Sequence, residues 1–263
     1  MASDKLFRTM AQADPTLRFS SRVENYIRYR PGYPAEVLET LLTECGLTPA
    51  AVVADIACGT GIFTRMLLDH GNRVIGVEPN QAMREAAEKL LSGHANFTAI
   101  AGTAEETTLP DRSVDFATAA QAAHWFDLPR ARKEFARILK PRGWAVLVWN
   151  ERSTDTTPFL RAYEDLLIAY GTDYQQIRHE HTTDNIGSFF APSPLQERVF
   201  EMQQEFDYAE LEGRLLSSSY APLQGHPKHT PMLKELQRIF DAHMKDARVG
   251  MEYRTRMYYG RLS

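Results

Sequence analysis

The sequence predicts an α/β fold, a doubly wound and mainly parallel sheet of seven strands with a helical lid. Five short apolar runs alternate with segments of helical periodicity from Ala51 to Asn150, the pattern of repeated strand and helix units. Two later runs, Glu197–Tyr208 and Val249–Tyr259, have the character of strands and bring the predicted total to seven. A chain of 263 residues is long enough for one large core with a modest appendage.

A glycine turn follows the first apolar run and is the most informative place in the chain. The run ends at Asp55, and the next residues, A-C-G-T-G, lead into a segment with helical spacing from Phe63 to His70. Gly59 and Gly61 let the backbone approach a ligand closely, and the start of a helix offers free N–H groups. Open α/β sheets bind ligands at such turns, so we expect a cofactor here.

The spacing after the turn separates two classes of cofactor. A dinucleotide fingerprint needs a third small residue, but Thr64 stands at that position. Glu78 ends the second apolar run, where a carboxylate is able to accept hydrogen bonds from both hydroxyls of a ribose. These residues therefore argue against a nicotinamide dinucleotide, and a nicotinamide-dependent oxidoreductase stays as the weaker interpretation. A glycine turn that binds no ligand is a further alternative.

These residues resemble the class I S-adenosylmethionine-dependent methyltransferases, whose first motif is D/E-x-G-x-G-x-G and whose second strand ends in an acid. Here Ala57 replaces the first glycine, and Ile62 follows the last one. The resemblance, to small-molecule methyltransferases of type 11, covers about Phe19 to Asn150. It implies a Rossmann-like fold in which the last strand lies antiparallel between strands five and six. It also implies S-adenosylmethionine as the cofactor and S-adenosylhomocysteine as its product.

The amino-terminal segment is dense in tyrosine and arginine before the first strand begins. Its pattern Y-I-R-Y-R-P-G-Y-P resembles a segment that closes over the cofactor in small-molecule members of this family. Arg30 offers a planar fork for a carboxylate, and Tyr33 offers an amphipathic wall. The alternative is a surface helix that packs on the domain through its apolar side chains.

Further candidate residues follow the third and fourth strands. The run G-T-A-E after strand three resembles the loop that holds the adenine, and Met83 lies one turn from Glu78. The complete set assigned to the cofactor is Arg30, Tyr33, Asp55, Ala57, Cys58, Gly59, Thr60, Gly61, Glu78, Pro79, Met83, Thr103, Ala104, Glu105, Gln121, Ala122 and Trp125.

The cluster Q-A-A-H-W-F at the end of the fourth strand supplies the candidate for catalysis. Gln121 has hydrogen-bonding groups for the methionine amino group, and Trp125 is able to stack near the sulfonium. His124 is the candidate general base, although a structural histidine is the alternative.

The predicted function is in-line methyl transfer to a small metabolite, with oxygen of a hydroxyl or a carboxylate as the expected target. The chain lacks an N-P-P-Y run, which disfavours the exocyclic amine of a nucleobase as the target. The only cysteine near the expected cofactor, Cys58, lies within the glycine turn, which disfavours a thiolate attack on a pyrimidine carbon. A rival from another class is a non-catalytic protein that binds S-adenosylmethionine or S-adenosylhomocysteine and senses it.

We expect four parts along the chain. Residues 1–34 form an amino-terminal lid segment, and 35–150 form the cofactor-binding α/β core. Residues 151–196 form a helical insertion or substrate lid, and 197–263 complete the sheet with strands and helices.

Composition limits the partners and the location. The net charge is −4 and no basic block is present, so we expect no nucleic acid partner.

No apolar run approaches the roughly twenty residues that span a bilayer, and the amino terminus lacks the apolar core of a signal peptide. Two cysteines, Cys45 and Cys58, indicate a reducing compartment, and the expectation is a soluble, cytoplasmic protein. His179 and His181 lack companions at ligand spacing, so we expect no metal. The sequence makes no prediction of the oligomeric state.

Overall fold

The computed structural model describes residues 22–177 and 183–262. The predictions made for Phe19 to Ser21, His179 and His181 lie outside these ranges. The helices are α1 (Val23–Tyr29), α2 (Ala35–Thr43), α3 (Ile62–Asp69), α4 (Gln81–Leu90), α5 (Leu128–Ile138), α6 (Pro158–Tyr170), α7 (Tyr174–Ile177), α8 (Thr183–Phe190), α9 (Tyr208–Leu216) and α10 (His229–His243). The strands are β1 (Val52–Ile56), β2 (Arg73–Val77), β3 (Phe97–Ile100), β4 (Val114–Ala120), β5 (Leu139–Arg152), β6 (Gln196–Phe206) and β7 (Val249–Gly260).

Within the described ranges, seven strands form one sheet in the order β3-β2-β1-β4-β5-β7-β6. The pairs from β3 through β5 are parallel, whereas β7 pairs antiparallel with both β5 and β6. The predicted fold class is confirmed, including the antiparallel last strand between the fifth and the sixth. This order brings the carboxyl ends of β1, β2, β3 and β4 to one edge of the sheet.

Side chains on the two faces of the sheet enter separate apolar clusters. On β1, Val53 packs with α2 and α3, while Ala54 and Ile56 pack on the opposite face with α5 and α8. On that second face, Phe135 of α5 meets Phe189 of α8 edge to face, with ring centroids 5.4 Å apart. Burial on both faces explains why β1 reads as an almost continuous apolar run.

A third apolar cluster lies beyond the central sheet and fixes the carboxyl-terminal part of the chain. It joins α6, α9 and α10 to the ends of β6 and β7, and its members include Leu160, Leu211, Leu236 and Tyr253. Because α6 and α9 pack in this cluster, the polypeptide that precedes and follows them is held against the sheet edge.

Side-chain caps fix the starts of two helices at the cavity edge of the sheet. The Asn80 side chain accepts a hydrogen bond from the Met83 amide, and the Asp127 side chain accepts one from the Arg130 amide. These bonds satisfy amide groups that a helix start leaves without partners. They fix the entry of α4 and α5 directly after the loops that follow β2 and β4.

Three local predictions are wrong. The sixth strand was expected to run to Tyr208, but it ends at Phe206 and α9 begins at Tyr208. Asp207 and Glu210 form a capping box, a sequence signal for a helix start that outweighs the β-forming residues before it. The helical spacing of Leu90 and Met244 predicts that they face inward. They are 36% and 45% exposed, because Leu90 is the last residue of its helix and Met244 directly follows its helix.

The fifth strand is longer than predicted. Its apolar run in the sequence predicts a strand from Trp144 to Asn150, whereas β5 extends from Leu139 to Arg152. Its pairing with β4 shifts between Val114 and Phe116, so the polar K-P-R-G run leaves the ladder as an irregularity within the strand. The carboxyl extension to Arg152 matters more, because it continues β5 into the cavity described below.

No helix among the described residues has both the length and the apolar character needed to cross a bilayer.

Glu134 of α5 anchors the loop that follows β3. Its Oε1 accepts hydrogen bonds from the Thr107 amide at 2.8 Å and the Thr107 hydroxyl at 2.5 Å, and Arg137 donates to both carboxylate oxygens. Burial raises the pKa of Glu134, but the bonds from Arg137 and Thr107 outweigh burial and lower the pKa to about 2. The ionised side chain therefore stabilises the fold at neutral pH.

We expect Glu134→Gln to lower the free energy of unfolding by about 1.5–3 kcal/mol at pH 7, the range for hydrogen bonds to a charged group. Because the folded pKa lies below the ordinary value of 4.5, this stabilisation is present above pH 4.5 and is lost as the pH falls through about 2. Urea unfolding at several pH values measures both effects. The exposed Glu88→Gln is the control, and equal losses in both variants would contradict the role given to Glu134.

Candidate active site

A cavity of about 680 Å³ lies at the carboxyl ends of β1, β4 and β5. One wall comes from the glycine turn and the end of β4, including Asp55, Gly59, Gln121, His124 and Trp125. The opposite wall comes from the end of β5, from β7 and from the segment around the end of α9. The amino-terminal segment contributes Tyr26, Arg30, Pro31 and Tyr33.

The glycine turn has a left-handed backbone at three alternate positions. Ala57, Gly59 and Gly61 have φ values of 55°, 59° and 85°. The left-handed region costs a residue with a Cβ roughly 1–2 kcal/mol, which explains why the family motif has glycine where this chain has Ala57. At Gly61 a Cβ would also lie 2.6 Å from Leu91 Cδ1, so this position demands glycine for space as well.

Glu78 holds the turn in place. Its Oε2 accepts from the Gly59 amide and its Oε1 accepts from the Asn80 amide, both at 2.9 Å. Burial raises the pKa of Glu78, and the two amide bonds only partly oppose that shift. Each carboxylate oxygen has a second lone pair, so the side chain is able to accept from a ligand while it holds the backbone.

Asp55 is a buried carboxylate on the cavity wall. It is 1% exposed, and it accepts from the Thr64 hydroxyl at 2.6 Å and from the Thr118 hydroxyl at 3.0 Å. Burial raises the pKa of Asp55 to about 6, the two threonines lower it, and the charge of Glu78 raises it. Thr64, which argued against a dinucleotide, thus has a role in orienting this carboxylate.

Gln121 ends the β4 wall with a left-handed backbone, φ 57°. Its Nε2 donates to the Asn150 carbonyl at 2.9 Å, whereas its buried Oε1 has no hydrogen-bond donor among the described residues. His124 and Trp125 follow in a 3₁₀ turn, with ring centroids 4.6 Å apart. The wall therefore combines acceptor oxygens with an aromatic surface.

These acceptors fit the methionine end of S-adenosylmethionine. An ammonium group has three donors and no acceptor. The wall presents the Asp55 carboxylate and the Gln121 Oε1, and the second of these accepts no hydrogen bond from the described residues. The ring of Trp125 adds a surface that attracts a cation. The chemistry of the wall thus matches a cationic, donor-rich ligand group.

The amino-terminal segment is tied to the rest of the site by polar contacts. Arg30 donates to the Ser217 hydroxyl and the Ser217 carbonyl, each at 3.1 Å, and it stacks over the Tyr26 ring. Tyr33 meets Phe63 of α3 edge to face, and the Gly32 carbonyl accepts from Asn150 Nδ2 at 2.8 Å. The segment therefore covers the cavity between the glycine turn and α9.

The structure brings only part of the predicted set to the cavity. Arg30, Tyr33, Asp55, Ala57, Cys58, Gly59, Gln121, His124 and Trp125 line it. The remaining residues are not on its wall: Thr60, Gly61, Glu78, Pro79, Met83, Thr103, Ala104, Glu105 and Ala122.

The residues off the wall still lie at the same edge of the sheet. The Glu78 amide donates to the Ile100 carbonyl, so the ends of β2 and β3 are side by side. Met83 and Ala104 are each 3% exposed, and Glu105 accepts from the Asp127 amide at 2.9 Å. Met83 and Ala104 are thus buried at the edge where the resemblance places the adenine.

Sequence reasoning missed most of the opposite wall. The residues of this wall that the sequence did not predict include Arg152, Tyr174, Arg214, Tyr253, Arg254 and Arg256. Ser219 and Tyr220, which follow α9, also line the cavity. The capping box before α9 was the signal that would have placed Arg214 on a helix, but no spacing connects these residues to the glycine turn. No cluster that could hold a metal occurs within residues 22–177 and 183–262.

Comparisons with known proteins agree with this geometry. Residues 54–147 match a family model described as a methyltransferase domain. An uncharacterized methyltransferase of Mycobacterium tuberculosis, Rv3342, is 42% identical over 146 residues, which are 55% of this chain and 56% of the relative. A malonyl-[acyl-carrier protein] O-methyltransferase of Serratia marcescens is 28% identical over 141 residues, 51% of this chain and 54% of the relative. The matched region thus spans about half the length of these relatives.

A solved structure provisionally named a type II methyltransferase, from Anaeromyxobacter dehalogenans, superposes with a TM-score of 0.64 at 23% identity. The match covers 89% of this chain and 98% of that one, and it supports the fold. The family match begins within β1, contains the glycine turn with Asp55, Glu78 and Gln121, and ends within β5. Residues 54–147 therefore match a methyltransferase domain, and this part of the chain is similar to the class I S-adenosylmethionine-dependent methyltransferases.

Proposed function

We propose that the protein transfers the methyl group of S-adenosylmethionine to an oxygen atom of a small metabolite. The observation that carries the proposal is the position of the glycine turn. Glu78 holds this turn, which lines the cavity together with Asp55, and the opposite wall of the cavity is chemically different. One wall suits the cofactor, and the other leaves room for an acceptor. A cofactor sensor would need only the first wall.

Each candidate residue has a defined task in this proposal. Asp55 and Gln121 accept hydrogen bonds from the amino group of the cofactor, and Glu78 accepts from its ribose. Met83 and Ala104 bound the space for the adenine. The bound cofactor supplies a methyl group on a sulfonium, whose leaving group is already activated.

Positioning contributes most to such a reaction. Holding two reactants in line is worth roughly 7–11 kcal/mol, whereas a single general base contributes about 10²- to 10⁴-fold. The protein has to align the acceptor oxygen with the methyl group and exclude water. The cover formed by α1, the Arg30 segment and α9 is placed for the second task.

Two observations support oxygen as the target and a small molecule as the acceptor. The relative from Serratia marcescens is named malonyl-[acyl-carrier protein] O-methyltransferase, which supports oxygen as the target. The acceptor wall has several arginines and tyrosines, which hold carboxylates and hydroxyls by hydrogen bonds. The net charge of −4 disfavours nucleic acid as the acceptor.

Transfer of label tests the proposal. The protein is incubated with S-adenosylmethionine labelled in the methyl group and with a pooled extract of small metabolites, and products are separated and identified. We expect an O-methylated product that is absent with Asp55→Ala, the matched variant that lacks the cofactor contact. Tight cofactor binding without any labelled product would instead support the sensor.

We expect the affinity for S-adenosylmethionine to fall as the pH drops through about 6, because the pKa of Asp55 is about 6 and the protonated acid no longer attracts the cationic cofactor. At the limit, the dissociation constant rises about tenfold per pH unit below that pKa. Calorimetric titrations between pH 5 and 8 measure the effect.

Asp55→Asn separates this group from Glu78 and His124, which also lie at the site. The variant should bind more weakly at pH 8 and lose most of the pH dependence. A wild-type affinity that stays constant from pH 8 to pH 5 would show that Asp55 does not face the cationic part of the cofactor.

His124→Ala should reduce kcat by about 10²-fold if the acceptor is a hydroxyl, since the variant lacks the general base but keeps the alignment. The affinity for S-adenosylmethionine should stay within about threefold of wild type, a change below 1 kcal/mol. Steady-state kinetics with the acceptor identified by label, together with cofactor titrations, measure both quantities. Lost cofactor affinity at unchanged kcat would place His124 in the cofactor site instead.

A further inference from the structure

Arg214 is a buried cation on the acceptor wall without an acidic partner. It lies on α9, is 6% exposed and lines the cavity. Its Nε donates to the Tyr253 hydroxyl at 3.3 Å and its Nη1 donates to the Ser218 hydroxyl at 3.2 Å. Its Nη2 donates to none of the described residues, and no described carboxylate lies within ion-pair distance.

The other arginines of this wall are compensated or exposed. Arg152 pairs with Glu164, and Arg256 pairs with Glu151 at 2.7 Å and with Glu197 at 2.8 Å. Arg254 is exposed to solvent. Arg214 differs from all three, because it is buried and its hydrogen-bond partners are neutral hydroxyls.

Arg30 makes the local excess of positive charge larger. Burial and then the nearby charge of Arg214 lower the pKa of Arg30. The hydrogen bonds of Arg30 go to the hydroxyl and the carbonyl of Ser217, which are neutral as well. Two guanidinium groups therefore face one part of the cavity with no described carboxylate to balance them.

Such an arrangement favours an anionic ligand. A buried charge costs several kcal/mol unless a partner of opposite sign and hydrogen bonds offset it. A carboxylate is the planar anion that matches the fork of an arginine, and the free Nη2 is available to donate to it.

The position of Arg214 assigns this anion to the acceptor rather than to the cofactor. Tyr253, its hydrogen-bond partner, lies on β7, which is three strands from β1 in the sheet order. Three strand spacings of about 4.8 Å amount to roughly 14 Å, and the two spacings that separate β7 from β4 amount to roughly 10 Å. Asp55 and Gln121, the groups that suit the amino end of the cofactor, lie on β1 and at the end of β4.

Resting on the proposed function, we infer that Arg214 binds a carboxylate of the methyl acceptor, so that the acceptor is a carboxylic acid. Arg214 is a positioning residue in this role, because it holds one end of the acceptor while another atom faces the methyl group. Arg30 adds positive charge beside it and supports the same selectivity.

Binding to the complex with S-adenosylhomocysteine tests this inference without turnover. The probes are acetate, benzoate, succinate, glutarate and citrate, each compared with its uncharged amide. Calorimetry measures each probe with wild type, Arg214→Gln and the control Arg238→Gln, whose side chain is exposed on α10. Arg214→Lys keeps the positive charge. If it retains part of the binding that Arg214→Gln loses, the loss follows from the charge rather than from misfolding.

We expect at least one acid to bind wild type and Arg238→Gln while its amide does not. With Arg214→Gln that acid should bind about 10- to 100-fold more weakly, the value of a charge-assisted hydrogen bond, with Arg214→Lys between the two. The affinity for S-adenosylhomocysteine should stay within about threefold in all variants.

Two results would overturn the inference. A loss of tenfold or more in affinity for S-adenosylhomocysteine with Arg214→Gln would assign the arginine to the cofactor. Failure of every acid to bind better than its amide would mean that no carboxylate is recognised. If wild type did not bind S-adenosylhomocysteine at all, the proposed function would fail, and the acids titrated into the protein alone would still report on Arg214.

Discussion

The hydrogen bond between the Glu78 carboxylate and the Gly59 amide is the interaction on which the site depends. It joins the end of β2 to a turn whose backbone is left-handed at three alternate positions, two of them glycines that adopt it readily and one Ala57, which does not. Because the turn is fixed, α3 begins where it does, and Thr64 on α3 orients Asp55. The acidic residue at the end of β2 therefore shapes the cofactor site even where it does not line the cavity.

The two walls of the cavity have opposite electrostatic character. Near β1 and β4 the wall offers acceptor oxygens from Asp55 and Gln121, and near α9 it offers the donors of Arg30 and Arg214. A cationic cofactor and an anionic acceptor would each meet the complementary wall.

The central sheet was predictable from sequence because β1 to β5 have local signals: apolar runs, glycine turns and capping residues such as Asn80 and Asp127. The meeting of the glycine turn with the end of β4 was predictable for the same reason, since the ends of parallel strands lie at one edge. The acceptor wall was not, because Arg152 and Arg214 come together through packing of α6, α9 and β7 in the third apolar cluster. Such contacts between distant segments leave no spacing in the sequence.

The most direct test of the central claim is a calorimetric titration of the wild-type protein with S-adenosylhomocysteine and, separately, with NADH, beside the variant Glu78→Ala. The account predicts one equivalent of S-adenosylhomocysteine bound by wild type, severe loss of that binding in Glu78→Ala, and no binding of NADH. Undiminished binding of S-adenosylhomocysteine by Glu78→Ala, or tight binding of NADH by wild type, would contradict it.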